Sequence, residues 1–475
     1  VNVISDHLVA GRRLPATGPT HTLVSPIDEA ETLRVRTAGP EELAVALHAA
    51  EAARGEMAAL DIGARTAALR ALAKRLVEDG EALAAMITSE NGCPSRQALA
   101  LQVLSASALL EAYAQLAERH VFEEHRPGMR GGRVLVHKSP IGVSAGIVPW
   151  NVPLFLSCMK IAPAIAAGCP LVLKPSVENA ASAARLAEMV DALPLPVGAI
   201  SVLTGDADLG RRLVADPRIA KVSFTGSTHA GREVAVACAA RFCRTTLELG
   251  GKSAAILLDD VDLSAVLPDL LGATLQNNGQ VCGAQSRLLV PAARFAELSA
   301  GIAAAFDGLV VGDPRQPSTS IGPLVNRRQR DKVRLAVDHA RREGARVLTA
   351  PRELPPKGFY VAPTLVTDVA SSAAIAREEV FGPVIVVLPY RSEDDAVAQA
   401  NDSDYGLSGS VWSRDPERAA RIARRISTGT VGINSKKILD FGSPFGGRRS
   451  SGLGSELGPE GIDAYLATTS VLLPS

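Results

Sequence analysis

Between residue 40 and about residue 115, apolar positions recur at helical spacing: Ala44, Leu47, Ala50 and Ala53, then Leu69, Leu72, Leu76 and Leu83. Steps of three and four put such residues on one face, so the pattern predicts successive amphipathic helices. Residues 120–132 are polar and turn-rich, and 133–137 read as a strand. Beyond Gly142 the period changes. Short apolar runs at 142–148, 170–174, 199–203 and 221–224 are predicted strands, with helices over 182–193 and 209–215. Alternation resumes after Lys252: strands are expected at 254–258, 288–290, 385–389 and 409–412, and helices at 327–343 and 417–426. Strands and helices of these lengths imply parallel α/β sheets, two of them here. A last β-prone run, 467–473, stands apart from both.

Bulk composition narrows the class. A chain of 475 residues exceeds one ordinary core, so two or three domains are expected. At 47% hydrophobic and 21% charged it reads as globular rather than disordered. Lys+Arg and Asp+Glu each total 50, so no net field favours nucleic acid or an anionic membrane as partner. The longest apolar stretch, 161–173, contains prolines and a glycine and is too short to span a bilayer. No basic segment followed by an apolar one opens the sequence, and a reduced, cytoplasmic setting is expected. Six cysteines, Cys93, Cys158, Cys169, Cys238, Cys243 and Cys282, lack metal-ligand spacing, so no metal is expected.

Four segments carry candidate chemistry. Cys282 lies in Asn277-Asn278-Gly279-Gln280-Val281-Cys282-Gly283-Ala284, and Glu248 in Leu247-Glu248-Leu249-Gly250-Gly251-Lys252. Alone, the cysteine reads as a small buried hydrophobe and the glutamate as a surface charge. Together, a thiol can attack a carbonyl and a carboxylate can activate the water that releases the product. The other two segments are Pro149-Trp150-Asn151-Val152-Pro153-Leu154, where Asn151 alone would read as a helix cap, and Glu378-Glu379-Val380-Phe381-Gly382-Pro383. Phe224-Thr225-Gly226-Ser227-Thr228-His229-Ala230-Gly231 follows a predicted strand and opens a helix, a junction suited to an anion or simply to a tight turn. The sequence has no Gly-x-Gly-x-x-Gly. Gly452-Leu453-Gly454 and Gly251-Lys252-Ser253 resemble fragments of nucleotide motifs but lack their contexts.

Taken together these segments resemble the aldehyde dehydrogenase superfamily, over nearly the whole chain. The resemblance implies a Rossmann-like cofactor domain (1–120 and 141–250), a second α/β catalytic domain (251–450) and a small β oligomerisation arm (121–140 and 463–475). It implies Cys282 as nucleophile, Glu248 as deacylating base, Asn151 as oxyanion donor and Lys160 in proton relay. CoA-acylating members generally lack the base, so hydrolysis to the free acid is expected. For the cofactor, NAD or NADP, the resemblance assigns Lys174 to the adenosine ribose and Gly226, Ser227 and Gly231 to the phosphates. It assigns Glu379 and Phe381 to the nicotinamide end, with Val148, Pro149, Trp150, Ser176, Val177, Gly205, Phe224, Leu249 and Gly250 along the cleft. Members that prefer NAD usually carry glutamate where this chain has Val177, so a 2′-phosphate meets no carboxylate at that position; the alternative is that Glu178, one residue later, reaches the ribose through a local backbone shift.

Val152, Leu156, Met159, Val281, Leu439 and Phe445 fall where the family lines its aldehyde tunnel. All six are apolar, which favours an aliphatic, terpenoid or aryl aldehyde. Lys436 and Lys437 would instead suit a carboxylate-bearing semialdehyde. The resemblance also implies a homodimer or homotetramer.

Overall fold

The computed structural model describes residues 2–350 and 353–474. Its first parallel sheet runs in the order Ile200–Val202, Leu171–Lys174, Val143–Ile147, Ile219–Thr225 and Arg244–Glu248; Gly452–Leu453 adds antiparallel at the last edge. Order along the sheet reverses between Val143–Ile147 and Ile219–Thr225, and the carboxyl ends at such a switch point form a crevice that ordinarily holds a ligand. The strand Arg244–Glu248 was not foreseen. Its Arg-Thr-Thr start hides a run whose last three residues are buried.

A second sheet of seven strands runs Arg346–Thr349, Thr364–Thr367, Val384–Tyr390, Arg287–Pro291, Ala254–Leu257, Ser408–Trp412 and Thr430–Ile433. All are parallel except the first, which pairs antiparallel with its neighbour. Each of the four strands expected after Lys252 is present. The fold is thus α/β, with two mainly parallel sheets.

Two expectations need revision. Residues 120–132 are not all turn: Glu123–Pro127 pairs antiparallel with Arg133–Pro140, which in turn pairs with Leu466–Leu473. All five residues of Glu123–Pro127 are exposed, so neither face left an apolar alternation in the sequence. Nor does proline interrupt the apolar stretch at its start. The helix Pro153–Ala167 passes through Pro163, is buried at every residue, and ends only where Gly168 turns left-handed at φ 82°. Among the described residues one helical run, 95–119, is long and apolar enough to cross a membrane. In this fold Ala106, Leu109, Leu110, Tyr113 and Ala114 on that run are wholly buried in the core beside Pro153–Ala167.

The segment leading to Cys282 is held by an unusual backbone. Asn277, Asn278 and Gly279 are consecutively left-handed, at φ 50°, 61° and 73°. Asparagine tolerates that conformation better than other residues bearing a side chain. At Gly279 a β-carbon would also meet the Gly382 carbonyl oxygen at 2.2 Å. Asn278 Nδ2 donates to the carbonyls of Gly92 and Pro323, both at 2.9 Å, and its Oδ1 accepts from Gly322 N–H at 2.7 Å. Asn277 N–H donates to Gln97 Oε1 at 2.8 Å, and Val325 N–H donates to Gln280 Oε1 at 3.1 Å. Asn278→Ala would strand three buried backbone groups at about 1–3 kcal/mol each, before any strain. A loss of at least ~3 kcal/mol in urea unfolding and a marked fall in activity are expected; wild-type stability in that variant would refute this account of the loop.

Candidate active site

Cys282 emerges half-buried from this loop and packs at the margin of the core that contains Pro153–Ala167. Its carbonyl oxygen would lie 2.5 Å from a β-carbon at residue 251, so only glycine there permits the approach. At Gly250 a β-carbon would stand 2.5 Å from a Glu379 carboxylate oxygen, so a side chain there would displace the end of Glu379. The two glycines therefore admit the cysteine loop on one side and Glu379 on the other. Glu379 Oε1 accepts from Gly251 N–H at 3.0 Å. Burial pushes the Cys282 thiol up to about 12, and the Glu379 and Glu248 carboxylates add to the rise. The resting sulfur is consequently protonated.

Asn151 is not a helix cap: the N-cap residue of Pro153–Ala167 is Val152, and no side chain caps that helix. Asn151 Nδ2 instead donates to Gln280 O at 2.9 Å, two residues before the thiol. Its own carbonyl accepts from Asn91 Nδ2 at 3.1 Å, Gln102 Nε2 at 3.3 Å and Asn277 Nδ2 at 2.9 Å. One amide hydrogen is thereby engaged and the side chain oriented; an amide nitrogen carries a second donor.

Glu248 is not a surface charge. It is 3% exposed, and neither carboxylate oxygen has a hydrogen-bond partner. Burial, then the Glu456 carboxylate, raise its pKa well above the carboxylate range, while the Lys160 ammonium opposes the rise. Lys160, fully buried on Pro153–Ala167, ion-pairs with Glu456 and donates to Thr225 Oγ1 at 2.7 Å. Ser223 Oγ donates to the same Glu456 oxygen at 2.6 Å. The sequence reading missed Glu456. It lies in a glycine- and serine-rich segment with no periodicity, and only the returning chain brings it to Lys160.

At the switch point lies a cavity of about 910 Å³ lined by Val148, Pro149, Trp150, Lys174, Ser176, Val177, Gly205, Phe224 and Gly226. Lys174 Nζ donates to Gly205 O at 2.6 Å, and burial lowers its pKa to about 8. Ser176 Oγ hydrogen-bonds the Glu178 carboxylate. His21, Arg211 and Arg328 also line the wall and were not anticipated. The fold does not bring every expected cofactor residue into this cavity. Ser227 caps the helix Thr228–Ala239, accepting from Ala230 N–H at 3.3 Å, and Gly231 admits the Leu249 side chain. Leu249, Gly250, Glu379 and Phe381 lie beyond the cavity, joined to it by the edge-to-face contact of Trp150 and Phe381 at 5.5 Å. A neighbouring cavity of about 1000 Å³ shares His21, Val177, Glu178 and Arg328, and neither cavity is lined by any of the four catalytic candidates.

Among the expected substrate residues, Leu156, Met159 and Phe445 are buried in the core that Cys282 borders, and Val152 and Leu439 pack against it. Val281 is half-buried and lies outside that cluster. Phe441 was missed; it packs on the same cluster with its ring 6.1 Å from Phe155. Lys436 Nζ is 2.8 Å from Asp269 Oδ1, whereas Lys437 is exposed and makes no ion pair among the described residues.

Known proteins resemble the chain along nearly its whole length. The aldehyde dehydrogenase family profile matches residues 14–471. Geranial dehydrogenase of Castellaniella defragrans is 45% identical over 416 residues, 88% of this chain and 87% of that protein. Glutarate-semialdehyde dehydrogenase of Pseudomonas putida is 35% identical, covering 95% of this chain and 92% of its own. An aldehyde dehydrogenase of Mycobacterium tuberculosis, solved with NAD⁺, superimposes with a TM-score of 0.96 at 38% identity, over 100% of this chain and 99% of that one. The chain belongs to the aldehyde dehydrogenase family.

Proposed function

We propose that this chain oxidises an apolar aldehyde to its carboxylic acid with a nicotinamide dinucleotide and releases the acid by hydrolysis. The observation that carries the reading is Glu248: a buried carboxylate without a partner, close enough to Cys282 to raise its pKa. A purely structural carboxylate would be paired.

The Cys282 proton passes to the Glu248 carboxylate and on to solvent, and the sulfur bonds to the aldehyde carbon, giving a tetrahedral oxyanion. Asn151, its second amide hydrogen free, donates to that oxygen together with the Cys282 backbone N–H; one such donor is worth about 10²- to 10³-fold in rate. A dinucleotide fits the 910 Å³ cavity at the switch point, where Lys174 and Gly226 lie on the wall, and when bound it supplies the hydride acceptor. The resulting thioester on Cys282 is cleaved by water whose proton passes to Glu248. Lys160 favours the charged form of that carboxylate and Glu456 disfavours it. Presence of this base supports hydrolysis over acyl transfer to CoA.

Two features refine the substrate and cofactor. The apolar cluster beside Cys282 and the pairing of Lys436 with Asp269 support an uncharged aliphatic, terpenoid or aryl aldehyde, as does the likeness to geranial dehydrogenase. A semialdehyde is the second reading, favoured by exposed Lys437, which has no ion pair among the described residues, and by the glutarate-semialdehyde relative. Val177, with Arg211 and Arg328 on the same wall, supports acceptance of NADP as well as NAD. The strand Leu466–Leu473, exposed along most of its length at the edge of its sheet, supports pairing between subunits through residues 121–140 and 463–475.

Cys282→Ala is expected to abolish NAD(P)H production with nucleotide binding intact, and Glu248→Gln to give one burst followed by turnover at least ~10²-fold slower. An unchanged steady-state rate in either variant would remove that residue from the mechanism. Because the pKa of Glu248 is raised by folding, protons bind the native state more tightly and the residue costs stability as pH rises above the unfolded carboxyl value of about 4.3. Glu248→Gln should therefore raise the Tm at pH 8 relative to wild type and leave it nearly unchanged at pH 4. Val177→Glu should lower kcat/KM for NADP by about tenfold or more while sparing NAD, by charge repulsion of the 2′-phosphate; equal effects on both would show that residue 177 does not face that group.

A further inference from the structure

Three of the remaining cysteines, Cys93, Cys158 and Cys169, are buried and isolated, and burial raises each thiol. Cys238 and Cys243 differ. The helix Thr228–Ala239 terminates at Phe242, left-handed at φ 57°; Phe242 N–H donates to Ala239 O at 3.2 Å and Cys243 N–H to Cys238 O at 3.0 Å. These are the two bonds of a Schellman turn, whose first and last residues bring their side chains together. The two thiols are close enough to influence each other electrostatically, and Cys243 Sγ also lies 3.6 Å from Ile219 O and 3.5 Å from Arg244 O. A disulfide needs α-carbons only about 4.4–6.8 Å apart, a span compatible with this closure.

Charge around the pair also departs from that at the other cysteines. The Arg241 guanidinium sits beside it, donating to Ile219 O at 2.6 Å and Val214 O at 2.9 Å, and its Nε is buried without an acceptor. Contact with the Cys243 thiol, then Thr245 and Arg241, favours the Cys238 thiolate, while the same contact raises Cys243; Cys282 is raised by burial. Cys238 is buried, whereas Cys243 is only half-buried.

We infer that Cys238 and Cys243 form a redox-active dithiol, a modification site separate from Cys282, which a hydroperoxide converts to an intramolecular disulfide. Both S–H bonds and the peroxide O–O bond break, and one S–S bond forms. The sulfurs together lose two electrons; the peroxide gains them and leaves as water and an alcohol, or as two waters from hydrogen peroxide, carrying both thiol protons. A thiol reductant reverses the change. The bond closes a six-residue turn between the helix opened by Ser227 and the strand ending in Glu248. Because the turn already has the closed form, oxidation leaves both ends in place and catalysis intact.

The test titrates the intact protein with hydrogen peroxide, blocks remaining thiols by alkylation under denaturing conditions, and maps the peptides by mass spectrometry. The expected result is a Cys238–Cys243 disulfide at doses where Cys282 is still alkylatable, with the link lost on reduction and with unchanged turnover. Cys243→Ser should remove the cross-link and leave Cys238 alkylatable. Survival of both free thiols at doses that oxidise Cys282, or a link from either to another cysteine, would overturn the inference. The peptide map needs no turnover, so it stands apart from the proposed reaction.

Discussion

A set of buried amides ties the catalytic parts together. The carbonyl of Asn151 accepts from Asn91, Gln102 and Asn277, while the Asn151 side chain donates back to Gln280. Those bonds join the crossover after the first strand of one sheet to the loop that enters the other. Each is an ordinary neutral hydrogen bond, modest in net energy, but leaving any buried member unpaired is costly. The arrangement therefore constrains position more than it adds stability. The segment before Cys282 and the Asn151 side chain are set by the same few amides.

Against that fixed frame, the electrostatics are deliberately unresolved. Lys160 has two oxygen partners and Glu456 has two donors on one oxygen, yet Glu248 beside them has none. Positive and negative neighbours pull its pKa in opposite directions, and burial decides the outcome. A site built for stability alone would have replaced this carboxyl with an amide or an apolar group.

Much of this was legible in the chain. Alternating apolar runs gave most strands of both sheets because parallel strands are buried on both faces and read as continuous apolar segments. Glu123–Pro127 escaped for the opposite reason, having no buried face. Cys282, Glu248 and Asn151 were marked by their glycine-, proline- and asparagine-rich surroundings, which report backbone constraint locally. Glu456 and Gln102 carried no such mark: their importance arises from neighbours hundreds or tens of residues away, and periodicity cannot encode a contact of that kind. Lys436 was visible as a charge, but its neutralisation by Asp269 required the loop to fold over the helix Leu263–Leu275.

The protonated resting state of Cys282 has a consequence beyond catalysis. Unsaturated aldehydes are electrophiles at two carbons, and a standing thiolate would add at the wrong one and be lost as a dead-end adduct. A sulfur held neutral by its surroundings is a poor target for such conjugate addition. Latency of the thiol is then a form of self-protection against any electrophile that reaches the loop.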